Sequence, residues 1–117
     1  MSAAEARLPA ADPARIFAAL GDDTRLSLLA DLSAGGPRSI AALSADRKLT
    51  RQAVTKHLHV LQQAGLVANV RVGRESRYTF RPDSLGIARN YLDRVSAKWD
   101  EALDRLRLLV EAGEGRA

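Results

Sequence analysis

Apolar side chains recur at helical spacing in several runs along this chain, separated by breaks of glycine, serine and proline. Asp12-Pro13 is an N-cap followed by proline at the first helical position, and Ile16, Phe17 and Leu20 behind it form the inner face of a short helix that Gly21 ends. Asp22-Asp23-Thr24 offers caps for a second helix. Its Leu26, Leu29, Ala30 and Leu32 are expected to face inward, with Leu28 flanking, until Ser33-Ala34-Gly35-Gly36-Pro37 breaks the pattern. Ser39 caps a third through Ile40 and Leu43 to about Ala45, and Asp46-Arg47-Lys48 connects it to a fourth. Residues 1–11 show no amphipathic period and are expected to form a disordered tail.

The fourth helix lies in LTRQAVTKHLHVLQQAGL, residues 49–66, and starts near Thr50. At about 100° per residue, Ala53, Val54, Leu58, Val60, Leu61 and Ala64 share one arc. Arg51, Gln52, Thr55, Lys56, His59, Gln62 and Gln63 fill the other. The apolar arc is core. The polar arc needs another reason, because a merely solvated face is usually rich in Glu and Asp and this helix has neither.

Gly65 is placed for a left-handed C-terminal cap. Beyond it LVANVRV has a strand pattern, Gly73-Arg74-Glu75 is a short turn, and SRYTF follows with Tyr78 and Phe80 on one face. Two short helices joined by three or four residues, then two strands around a basic tip, predict a mainly α fold: a winged helix-turn-helix with a small β-hairpin wing. Pro82-Asp83-Ser84 opens the last element. Leu85, Ala88, Leu92, Val95, Trp99, Ala102, Leu106 and Leu109 then alternate at spacings of three and four through about Val110, and the long helix is expected to end at Gly113. Tyr91, Leu103 and Val110 widen this seam, so it is read as packing on its own domain and on a second subunit. The expected organisation is one domain over residues 12–112 and a flexible tail over 113–117.

Composition narrows the function. At 117 residues the chain fits a single domain small enough to gain from dimerisation. No apolar run approaches a membrane span, and MSAAEARLPA has neither the basic nor the apolar region of an export signal, so the expected setting is cytoplasmic. Cysteine is absent, which removes disulfides, thiolate metal sites and cysteine redox sensing. The net charge of +4 is unevenly placed: residues 38–81 carry nine basic and two acidic side chains, whereas both flanks are slightly acidic. A concentration of this kind marks a surface that meets a polyanion.

The residues ALGDDTRLSLLADL (19–32), TRQAVTKHLHVLQQAGLV (50–67) and VGRESRYTF (72–80) resemble the ArsR-type (ArsR/SmtB) family of winged-helix transcriptional repressors. The family's S-K-H-L-x-x-L-x-x-A-G-L-V pattern stands here as Thr55-Lys56-His57-Leu58, then Leu61, then Ala64-Gly65-Leu66-Val67. The Trp-Asp-x-x-Leu-x-x-Leu stretch of one branch stands as Trp99-Asp100, Leu103 and Leu106. The resemblance covers about residues 13–110. It implies a homodimer built by the first and last helices, with Ile16, Phe17, Leu92, Val95, Trp99, Leu103 and Leu106 at the interface. It also implies double-stranded DNA as the partner, an inverted-repeat operator, and the fourth helix in the major groove.

On that reading Thr50, Arg51, Gln52, Thr55, Lys56 and His59 form the reading head. Gln52 suits adenine and Arg51 guanine, while Thr50 and Lys56 suit phosphate. Arg38, Arg47, Lys48, Arg71, Arg74 and Arg77 are the pool for further backbone contacts.

No cofactor is expected. His57 and His59 lie about 200° apart around a helix and cannot chelate one ion together. His57 falls on the apolar arc and is expected to be partly buried with a backbone partner. The cysteines and last-helix histidines of metal-sensing relatives are missing. Asp93, Asp100, Glu101 and Asp104 intersperse with Arg94, Lys98 and Arg105 as on a solvated helix face. No nucleophile motif or glycine-rich phosphate loop is present, which argues against an enzyme. Two alternatives stand beside the repressor: a metal sensor with an all-oxygen site, and a winged-helix interaction module that no longer binds DNA.

Overall fold

The computed structural model describes residues 12–116, with side-chain surroundings through residue 113; the N-terminal tail expected over residues 1–11 lies outside them. Five helices and one hairpin follow in order: α1 (Pro13–Leu20), α2 (Asp23–Gly35), α3 (Ile40–Ala45), α4 (Arg51–Gln63), β1 (Val67–Val72), β2 (Glu75–Phe80) and α5 (Asp83–Arg116). The first four helices each begin on an oxygen-bearing side chain. Asp12, Asp22, Ser39 and Thr50 accept hydrogen bonds from the backbone N–H groups of Ala14, Arg25, Ala42 and Ala53 at 3.0–3.1 Å.

The core gathers Ile16 and Ala19 of α1, Leu28, Leu29 and Leu32 of α2, Leu43 of α3, and Val54, Leu58 and Leu61 of α4. Ala64, Leu66, Val67, Tyr78 and Ala88 complete it. The inward face of α2 differs from the expected one. Leu26 and Ala30 are exposed and Leu28 is fully buried. Leucines occur on several sides of this helix, so apolar spacing alone does not orient it; Arg25, bonded to the end of α1, turns the Arg25-Leu28-Leu29-Leu32 row inward. Helix α2 also runs through Ser33-Ala34-Gly35, and the break comes at Gly36, whose φ of 79° is left-handed. On α4, Val60 sits at the edge of the apolar arc and is exposed.

Gly65 (φ 76°) turns the chain out of α4 and Gly73 (φ 65°) makes the hairpin turn, so both positions favour glycine. Strands β1 and β2 pair antiparallel from Val67 with Phe80 to Val72 with Glu75. Arg38 adds an isolated bridge to Tyr78, its N–H donating to the Tyr78 carbonyl at 3.0 Å and its carbonyl accepting from the Tyr78 N–H at 2.7 Å. That bridge anchors the wing beside the start of α3.

Helix α5 spans 34 residues, about 51 Å at 1.5 Å per residue. It passes through Gly113, where the seam had suggested an end, and continues to Arg116. Only its first turns touch the domain: Leu85, Ile87 and Ala88 meet the core, and the Tyr91 ring lies 5.8 Å from that of Phe17. No helix among the described residues is long and apolar enough to cross a membrane.

Candidate nucleic-acid interface

The apolar arc of α4 buries Val54, Leu58 and Leu61 completely, which turns the opposite face outward. Arg51, Gln52, Thr55, Lys56 and His59 are consequently all exposed, with Thr50 exposed at the cap. Two of these groups have local commitments. Thr50 Oγ1 accepts from the Ala53 N–H at 3.0 Å, and Thr55 Oγ1 donates to the Arg51 carbonyl at 2.7 Å. Thr50 keeps its hydroxyl proton for an outside acceptor, and Thr55 keeps a lone pair for an outside donor. His59 lies 3.4 Å from Gln63 one turn on, a contact on the exposed face.

The pool of surrounding cations divides sharply. Lys48, Arg71 and Arg74 are exposed, and Arg74 stands in the hairpin turn where Arg71 Nη1 donates to its carbonyl at 3.3 Å. Arg77 is half-buried and paired with Glu75 at 2.6 Å. Arg38 is half-buried as well, its guanidinium lying against Gly35 at the C-terminal end of α2. Arg38, Arg77 and Glu75 line one open cleft with Ser39 and Asp46, between α3 and the wing.

Arg47 departs from expectation. Its guanidinium donates to Asp31 (2.6 Å), to Ser27 Oγ (2.8 Å) and to the Leu43 carbonyl (2.7 Å), and its side chain is 14% exposed. It ties α3 to α2, with three of its five N–H donors engaged there and little of the side chain left exposed to phosphate. Ile16 is corrected too: it is fully buried in its own chain's core and offers no surface to a second subunit.

His57 has a different partner from the backbone group expected. Its Nδ1 lies 3.3 Å from Arg25 Nη1 and 3.7 Å from Asp22 Oδ2, both contributed by the start of α2. The Asp22 carboxyl is held below its ordinary range, chiefly by the Arg25 backbone N–H it accepts, with the charge of Arg25 acting in the same direction. Arg25 had no signal in the sequence, since an arginine one turn into a helix is ordinarily solvated.

Among the described residues no group of three or more His, Cys, Asp or Glu side chains is arranged to hold a metal ion. Asp104 and Glu111 of α5 pair with Arg107 at 3.7 and 3.8 Å on an exposed face.

A short α3, an exposed acid-free α4 and an anchored hairpin are the parts of a helix-turn-helix transcriptional regulator. The helix-turn-helix domain family matches residues 20–70. The HTH-type transcriptional regulator Rv2034 of Mycobacterium tuberculosis is 35% identical over 100 residues, 86% of this chain and 90% of that protein. Among solved structures, an ArsR-like transcriptional regulator from Rhodococcus sp. RHA1 is 38% identical with a TM-score of 0.75, covering 83% of this chain and 91% of that one. The homodimeric winged helix-turn-helix DNA-binding domain Mb0332 of Mycobacterium bovis is similar at 27% identity and a TM-score of 0.56, covering 79% and 82%. The cadmium metal-sensor CMTR of Mycobacterium tuberculosis is similar at 36% identity and 0.52, covering 65% and 75%. This chain belongs to the ArsR family of winged helix-turn-helix transcriptional regulators, and it is a regulator rather than an enzyme.

Proposed function

We propose that the protein is a homodimeric, cytoplasmic repressor that binds an inverted-repeat operator through α4 and does not answer to metal. The observation that carries this reading is the outer face of α4, where Arg51, Gln52, Thr55, Lys56 and His59 are exposed together and no acid interrupts them. Gln52 and Arg51 have the donor and acceptor pattern for adenine and guanine edges, and Thr50 and Lys56 suit phosphate. Lys48, Arg71 and Arg74 supply further phosphate contacts, with Arg38 and Arg77 as half-buried contributors at the cleft beside α3. An interaction module freed from DNA has no use for so strong a positive bias.

Dimerisation is supported by α5. Leu92, Trp99, Leu103 and Leu106 are more than half exposed, and Phe17 lines an open apolar groove with Leu20, Leu85 and Leu92. The similar Mb0332 domain is homodimeric. A metal-responsive alternative draws on the similar cadmium sensor. The donor set weighs against it: cysteine is absent, His57 is engaged by Arg25 and Asp22, and His59 lies on the face assigned to DNA.

Selecting bound fragments from random duplex DNA with the purified protein tests this reading. A two-fold symmetric consensus is expected, with half-sites about one helical turn apart. If each subunit neutralises about three phosphates, the log–log salt slope should be about −5. Recovery of unselected fragments, with a slope near zero, would return the protein to the interaction-module class.

A further inference from the structure

Arg25 bonds to two other helices at once. Its Nε donates to the Ala19 carbonyl at 2.7 Å and its Nη2 to the Ala18 carbonyl at 3.2 Å, both at the C-terminal end of α1. Its Nη1 meets His57 Nδ1, on α4, at 3.3 Å. The same imidazole nitrogen has a second neighbour, Asp22 Oδ2 at 3.7 Å, and that carboxylate is occupied as the N-cap of α2. His57 lies between Val54 and Leu61, which are buried, and two residues before His59 on the exposed face.

We propose that Arg25 is a positioning residue for DNA reading: through His57 it locks the rotation of the recognition helix to the end of α1, with Asp22 as the alternative partner of the same nitrogen. This rests on the reading of α4 as the DNA-reading helix. The geometry requires a defined protonation state. Nδ1 accepts from a guanidinium only when it carries no proton, so neutral His57 closes the Arg25 bond. A proton on Nδ1 turns the acceptor into a donor facing a cation, which breaks the contact with Arg25 and favours Asp22. Among the described residues, Arg25 and Asp22, both at the start of α2, are the charged groups that bond to or pair with His57. Buried apolar contacts hold α4 in the core in either state, so the lock sets orientation rather than attachment. A helix free to populate several orientations pays for it in the fraction that is competent to bind.

The test uses the full chain, with wild type, Arg25→Met, His57→Asn and His57→Phe measured by fluorescence anisotropy on the selected operator and on a scrambled duplex. Asparagine places an amide oxygen near the position of Nδ1, so it accepts from Arg25 without titrating. Arg25→Met and His57→Phe are expected to lower the operator-to-scrambled preference about tenfold, the size of one charge-assisted hydrogen bond, while His57→Asn stays within about twofold of wild type.

A role limited to capping α1 lowers the melting temperature and leaves the preference unchanged; that result in Arg25→Met overturns the proposal. If Arg25→Met is too unstable to assay, the two His57 variants decide, and equal preference in both is the overturning result. Wild type with no preference for any duplex removes the DNA-reading assignment and this proposal with it. Wild type that reads DNA beside unaltered variants removes the proposal alone.

Discussion

Two neighbouring cations of the turn before α4 should behave as opposites. Arg47 donates three hydrogen bonds at 2.6–2.8 Å and is 14% exposed, whereas Lys48 is exposed. Arg47→Met keeps the aliphatic stem and removes all three donors. Asp31 is 43% exposed, so water rehydrates its carboxylate and the loss stays below that of orphaning a buried charge. One charge-assisted bond at about 1.5–3 kcal/mol and two bonds to neutral acceptors, discounted for that exposure, give a cost of about 2–4 kcal/mol. At fixed protein concentration this should lower the melting temperature on the order of 10 °C. The salt slope of operator binding should not change, because Arg47 is largely buried and held toward Asp31, Ser27 and Leu43. Lys48→Met should do the reverse, leaving stability within about 0.5 kcal/mol and reducing the slope by about one for each phosphate no longer neutralised, or about two per dimer. Thermal melts and anisotropy titrations at several salt concentrations measure both. Arg47→Met with wild-type melting and a shallower slope would refute the structural assignment.

Gln52→Ala should cost roughly 1–3 kcal/mol on the best operator and little on random DNA, flattening preference at one base pair per half-site, whereas Arg74→Ala should weaken all sequences alike; the opposite pattern on operator and scrambled duplexes would mean that reading head and wing are misassigned. Trp99→Ala should shift the protein toward monomer and lower its stability by about 3–5 kcal/mol if the partner covers the ring fully, and a well-folded wild-type monomer in the ultracentrifuge is the contrary result. Asp22→Asn keeps an N-cap and removes the charge. Because the folded carboxyl lies below its ordinary 3.8, wild type should be the more stable above that range, and the gap should close as pH falls through the lowered folded value; acid titration of both proteins, with a gap that persists, would exclude this contribution. Saturating zinc, arsenite or cadmium should leave operator affinity within about threefold, and a tight stoichiometric site by calorimetry that alters DNA binding would reinstate the metal sensor.

Local chemistry was the legible part of this fold. Asp12, Ser39 and Thr50 cap the helices assigned to them, Gly65 takes the left-handed backbone expected after α4, Gly73 stands in the expected hairpin turn, and α4 buries Val54, Leu58 and Leu61 as its period requires. Each of these depends on neighbours within a few residues. Arg25 and Arg47 depend on partners distant in sequence, Arg25 on a residue 32 positions away and Arg47 on one 16 away. Nothing in their immediate surroundings separates a structural arginine from one held out for phosphate, so the sequence alone places Arg47 among the DNA contacts and carries no signal for Arg25. Leu28 was misplaced for a related reason: when leucines surround a helix, a polar contact elsewhere selects the inner face.

The seam of α5 shows where periodicity reaches its limit and tertiary structure supplies the division. The sequence repeats one stripe from Leu85 to Leu109 without marking where one partner gives way to another. The structure divides it at Tyr91, whose contact with Phe17 is the last aromatic tie to the domain. Before it, Leu85, Ile87 and Ala88 pack on the core; from it to Val110, every large apolar side chain except the half-buried Val95 is exposed. Most helical stability in proteins comes from tertiary packing, which this stretch lacks in its own domain, and its apolar stripe exceeds what a small soluble monomer ordinarily leaves uncovered. A single pairing with a second copy resolves both problems, since burying the stripe supplies the packing that the helix lacks. The partner's α1 is too short to cover it alone, being eight residues or about 12 Å long. Most of the cover in the proposed dimer must therefore come from the partner's own α5, and mutations from Trp99 onward should act on assembly with little effect on the core that holds α4.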